Sequence, residues 1–172
     1  MPSDETAILE VLDRVKNKFY GKYRGTVTQI DATTLRIKAI VPAVLGQVET
    51  GWCMACVPYA GPNVVFVFLP EEGSGVWIEF EGGEVSYPIW TGCYWRTDDI
   101  PAGVSATGKM ILTVAPHKLL MDDDQSSITL TDPNQNSVTL DSSGVTLTRG
   151  GSTVVVGDSE VNINNGGLEV MS

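Results

Sequence analysis

The chain has 172 residues, of which 42% are hydrophobic and only 19% charged, with 18 glycines. That is enough apolar mass for one medium or two small cores, and the glycine excess favours turns and strands over charge-laced helices. Formal net charge is −10, unevenly placed: residues 1–40 carry 7 basic and 5 acidic side chains, residues 41–172 carry 4 and 16. The acidic body excludes a phosphate-neutralising nucleic-acid surface and simple adsorption to anionic lipid.

No apolar run is longer than Val64–Leu69, far below the roughly 20 residues that cross a bilayer, and Met1-Pro2-Ser3-Asp4-Glu5 lacks the basic and apolar regions of a secretory signal. Neither membrane spanning nor signal-directed secretion is expected. The three cysteines read as reduced thiols and not as a disulfide framework.

Residues 1–20 predict a helix. Ser3 or Asp4 can cap it, Glu5 suits its first turn, Lys16 and Lys18 its last, and Gly21 ends it. Ile8, Leu12, Val15 and Phe19 fall on one stripe, which either packs on its own domain or docks on a partner. Residues 21–95 predict five short strands: Tyr23–Ile30, Leu35–Val41, Val64–Leu69, Val76–Phe80 and Ile89–Tyr94, with turns at 71–75 and 82–83. Five strands without helical interruption fit a small, nearly closed barrel, the OB-fold. All aromatics lie between Phe19 and Trp95, and core filling accounts for Trp52, Trp77, Trp90 and Trp95. Residues 96–117 read as a linker.

Residues 118–172 carry a repeat. Apolar pairs separated by one residue recur at Ile128/Leu130, Val138/Leu140, Val145/Leu147, Val154/Val156, Val161/Ile163 and Leu168/Val170, with mostly polar residues between the members. Turn sequences fill the gaps, such as Asp141-Ser-Ser-Gly144 and Asn164-Asn-Gly-Gly167. Each strand thus has one apolar face. A flat meander would leave those faces open, with roughly 18–36 kcal/mol of burial unrealised per chain. The pattern predicts three chains winding into a triangular prism with a dry interior, an intertwined homotrimer.

Chemistry-bearing residues are sparse. Cys53, Cys56, Cys93 and His117 are the candidate zinc ligands, but no second close ligand pair accompanies Cys53-Met-Ala-Cys56. Asp122-Asp-Asp124 lacks the glycine and distal glutamate of a calcium loop and reads as a solvated turn. With one histidine, no Gly-x-Ser-x-Gly, and Glu79 and Glu81 sharing a strand face, no catalytic arrangement is apparent. No enzyme activity and no cofactor are expected. The alternative reading is an OB-fold module binding a single-stranded nucleic acid or another ligand, with a trimerising tail. Aromatics over a basic groove would serve it, yet residues 41–95 contain no Lys or Arg.

Arg36-Ile-Lys-Ala-Ile-Val-Pro42, Gly51-Trp52, Val57-Pro-Tyr-Ala-Gly-Pro62, Phe66-Val-Phe-Leu-Pro-Glu71, Gly75-Val-Trp-Ile-Glu-Phe-Glu81 and Ser86-Tyr-Pro-Ile-Trp-Thr-Gly92 occur in order. This segment resembles the OB-fold of phage baseplate assembly proteins, the spike family that includes the V protein of P2-like phages, and of VgrG proteins of type VI secretion. The resemblance implies a mainly β protein with a barrel above a trimeric β-helix needle, located in the baseplate of a virion or injection particle and assembled in the bacterial cytoplasm. Such a spike pierces the target envelope on sheath contraction and touches the membrane only transiently.

The implied partners are two further copies, a hub or tube-initiator protein gripped through Ile8, Leu12, Val15 and Phe19, and a PAAR-type cone on Leu168, Val170 and Met171. Unlike the central spike of T-even phages, this chain has no room for a lysozyme between barrel and needle. Unlike P2-like spikes, it has no histidine cluster at the tip for iron.

Overall fold

The structure, a computed structural model, describes residues 8–9, 11–12 and 15–171. It divides into two units that meet in sequence at Ile100 and Pro101. Half of residues 1–20, where a helix was expected, lie outside the described residues; of the described ones, 8–9, 11–12 and 15–16 are helical and 17–20 are not.

The first unit is built on a curled five-stranded sheet. Its strands are β1 (Tyr23–Asp31), β2 (Arg36–Ile40), β3 (Met54–Ala55), β6 (Gly75–Phe80) and β7 (Pro88–Tyr94), in the order β2-β1-β6-β7-β3. Alternation drives it: Val27 on β1, Ile37 and Ala39 on β2, Val76, Ile78 and Phe80 on β6 and Trp90 on β7 all point inward and are buried with Val41 and Cys53. Register shifts between Val27 and Gln29 and between Trp77 and Ile78 bend the sheet.

The segment before β3 draws the two edges together. The Thr50 and Cys53 amides donate to Ala39 O and Ile37 O on β2, both at 2.8 Å, while β3 runs parallel to β7. Gly75 is required where β6 passes β7, because a Cβ there would stand 2.8 Å from the Tyr94 carbonyl oxygen.

Three sequence expectations are corrected in this unit. The fifth strand of the barrel is Met54–Ala55, not Val64–Leu69. The latter region supplies β5 (Val64–Phe66), which pairs only with β4 (Tyr59–Gly61) in a separate hairpin. Pro62 and Asn63 form its turn, with Asn63 at φ 60°. Of the four tryptophans only Trp90 belongs to the core; Trp77 is half-buried, and Trp52 and Trp95 are exposed. Phe19, assigned to a docking stripe, instead packs on the barrel. Its ring lies 6.2 Å from that of Tyr23 and 6.3 Å from that of Phe80, and its amide donates to Gly83 O at 2.9 Å.

The second unit is one eight-stranded antiparallel sheet. In chain order it comprises β8 (Gly108–Leu112), β9 (Lys118–Asp122), β10 (Ser127–Thr131), β11 (Ser137–Asp141), β12 (Gly144–Arg149), β13 (Ser152–Val156), β14 (Glu160–Ile163) and β15 (Leu168–Met171), each beside the next. The first strand starts inside the stretch expected as linker.

Short turns dictate this neighbour-to-neighbour pairing. Asp122 Oδ1 accepts the Asp124 and Gln125 amides, Asp132 Oδ1 those of Asn134 and Asn136, and Asp141 Oδ1 that of Ser143. These are the Asx turns that short aspartate side chains favour. At Gly144 the backbone takes φ 125°, and a Cβ would stand 2.0 Å from Val156 O. The strand positions and one-faced apolar pattern follow the expectation. Every ladder between β8 and β15 closes within the chain, as an antiparallel meander with one apolar face.

Candidate trimerisation face

Residues directly opposite one another in paired strands share a face. The registers therefore trace two ladders across the sheet. One runs Ile111, Leu119, Leu130, Val138, Leu147, Val154, Ile163, Leu168; the other runs Lys109, Met121, Ile128, Leu140, Val145, Val156, Val161 and reaches β15 at position 170. Every side chain described in these rows is apolar except Lys109, at the β8 end, whose Nζ donates to Asp123 Oδ2 at 2.6 Å. The opposite face carries Thr129, Thr139, Thr146, Val155 and Asn162 in register.

In the single chain this face is open. Leu130 is 54% exposed, Leu147 45% and Leu168 55%, while Val138, Val154, Val161 and Ile163 are half-buried by their neighbours. A continuous apolar face spanning eight strands, backed by a mostly polar one, is a surface that has to be covered. Three copies related by a threefold axis can do so, each covering the others with the same residues.

The ten residues expected as trimer core all lie in these ladders. Ile111, Leu119 and Met121 extend them and were missed, because Met110-Ile111-Leu112 and Leu119-Leu120-Met121 break the alternation that marks the later strands. Leu120 and Met110 lie on the opposite face.

The other candidates are dispersed. Cys53 is buried in the barrel core, Cys56 and Cys93 are exposed, and His117 lies in the second unit. Among the described residues no group of three His, Cys, Asp or Glu side chains is placed to hold a metal. Burial pushes the Cys53 thiol above its ordinary range, as befits an inert thiol.

The aspartates of 122–124 are occupied separately: Asp122 by its turn, Asp123 by Lys109, and Asp124 by the Thr107 hydroxyl at 2.7 Å. Ile8, Leu12 and Val15 are exposed. Leu168 is exposed, and the side chains of Val170 and Met171 lie outside those described. Cations of the chain itself sit over the barrel's aromatic faces. The Arg24 guanidinium is 5.6 Å from the Trp77 ring and 5.4 Å from that of Tyr94, and Lys38 Nζ is 4.9 Å from that of Trp52.

Comparison with known proteins assigns both units. Residues 23–95 match the type VI secretion system/phage-baseplate injector OB domain. Residues 109–169 match the phage baseplate V C-terminal trimerisation domain, the stretch that carries both apolar ladders. No curated protein matches the chain. A curled barrel sheet followed by a sheet with one uncovered apolar face, each matched by its own domain, identifies the chain as a member of the phage baseplate V and VgrG-like family of structural baseplate components.

Proposed function

We propose that the protein is the central spike of a contractile tail or contractile injection machine, a mechanical device and not an enzyme. The observation that carries this reading is the pair of apolar ladders within the matched trimerisation domain. Three such faces close into a prism with a dry interior, the form of a needle. Driven by sheath contraction, the prism passes through the target envelope. Hydrogen-bonded ladders along its whole length leave no loose segment to peel away under load.

The barrel joins needle to baseplate, and Ile8, Leu12 and Val15 offer the hub or tube initiator an apolar grip. The β15 end, with Leu168 exposed, takes a conical tip protein. Assembly occurs in the bacterial cytoplasm, with transient contact to the target membrane during delivery.

The deciding experiment is the native mass of the purified chain by light scattering, followed by delivery assays on particles. A three-chain mass, together with loss of envelope breach when particles carry Leu130→Asp, supports the spike. Full delivery by particles whose spike remains monomeric would reject it.

A further inference from the structure

The hairpin β4–β5 is the least supported element of the barrel unit. It forms a two-stranded sheet of its own, and isolated two-stranded hairpins are marginal in water. Tyr59 opposes Phe66 and Gly61 opposes Val64, so one face of the hairpin presents Tyr59, Val64 and Phe66. Phe68 stacks edge-on to Phe66 at 5.5 Å. These rings are open: Tyr59 is 59% exposed, Phe66 50% and Phe68 55%. Aromatic bulk of this kind, left in water on an unsupported arm, marks an interaction surface.

Two observations select the occupant. Residues 50–70 contain no charged side chain, although the chain carries −10 overall. Copies of one acidic chain repel each other least where their surfaces are uncharged, and this is the longest uncharged stretch of sequence in the barrel unit. In addition, only residues 101–107 separate the barrel unit from β8 of the trimerising sheet. That stretch reaches roughly 25–30 Å when extended. Once the sheets associate, three barrels are tethered together at an effective concentration of order millimolar.

We infer that the aromatic face of the β4–β5 hairpin packs against the same hairpins of the other two copies, forming a second homotypic contact separate from the prism. The inference rests on the trimeric reading of the sheet. Each hairpin gains the apolar cover that its own chain does not supply, and the barrels gain a fixed arrangement about the threefold axis.

The test uses the full chain with Cys56→Ser and Cys93→Ser, adding either Val64→Cys on the hairpin face or Thr139→Cys on the polar face of the sheet. Each variant is treated with a short bismaleimide, and its native mass is measured in parallel. The expected result is a three-chain mass for both, with Val64→Cys shifting in part to a two-chain band on a denaturing gel and Thr139→Cys remaining a one-chain band. Adding Phe66→Asp abolishes the linked band while the sheet keeps the three-chain mass. A trimer whose Val64→Cys stays a one-chain band overturns the inference alone and leaves the hairpin to an outside protein such as the hub. A monomeric mass overturns it together with the trimeric reading.

Discussion

Ile78 is fully enclosed in the barrel, paired with Tyr23 of β1 on one side and Trp90 of β7 on the other. Its truncation in Ile78→Ala removes buried methylenes and leaves a cavity that the curled sheet cannot collapse. A loss of about 2–5 kcal/mol is expected, read as reduced hydrogen-exchange protection of the barrel amides with those of β10–β14 unchanged. Gly144 makes a sharper demand: alanine there meets the Val156 carbonyl oxygen, a backbone atom that no rotamer change can move aside. Gly144→Ala is expected to disrupt the β12–β13 pairing and reduce the trimeric fraction in light scattering, whereas Gly151→Ala, in open space, leaves it unchanged.

Asp31 offers a titration. The Thr34 hydroxyl and the Thr33 amide donate to its carboxylate and hold its pKa below the ordinary 3.8. A depressed folded-state value means a stabilising contribution that is complete above the unfolded pKa and is lost as pH falls through the folded one. Carboxyl resonances of Asp31 followed by NMR should therefore show a midpoint below 3.8, and Thr34→Val should raise it. A midpoint at or above 3.8 in the parent chain would contradict the turn geometry.

At the scale of elements, the two faces of one strand make opposite predictions. Leu147 and Thr146 are neighbours on β12, one in an apolar ladder and the other in the threonine row. Leu147→Asp places a charge in the apolar face that the proposed trimer buries and is expected to convert trimer to monomer. Thr146→Asp stays in water and leaves the native mass unchanged.

The same contrast explains what was legible in the sequence. Strands with strict alternation, such as Val138-Thr-Leu140 and Val145-Thr-Leu147, announce their inward face because side-chain direction has period two. Met110-Ile111-Leu112 and Leu119-Leu120-Met121 are apolar on both faces and hide their register, so β8 passed for linker and the inward residues of β9 were not singled out. Val64–Leu69 misled for a related reason. A continuous apolar run is what a buried strand looks like, and nothing local reveals that the barrel closes through the two-residue β3 instead. Phe19 shows a third limit: its helical spacing with Val15 is real, yet Tyr23 and Phe80 offer a tertiary contact that outweighs it.

For the whole molecule, charge and association are coupled. Three chains bring together three times the single-chain −10, and the repulsion opposes assembly while the apolar faces drive it. Raising ionic strength to about 0.15 M, where screening acts over roughly 8 Å, is therefore expected to increase the trimeric fraction at limiting protein concentration. Mass measurements across a salt series check this, and a trimer that weakens with salt would place ion pairs at the interface instead. The division of labour between units was visible from composition alone, since aromatic bulk stops at Trp95. Their matches to an injector OB domain and a trimerisation domain follow that same division.

Confinement of every aromatic ring to one end of the chain also has an optical consequence. Tryptophan emission and near-ultraviolet absorption arise from the barrel unit alone, so they report its folding without any contribution from the trimerisation sheet. A sheet unit separated from its barrel by proteolysis is transparent in that region. It has to be followed by peptide-bond absorbance or by mass, and a fraction discarded as protein-free in the near ultraviolet is where it would be found.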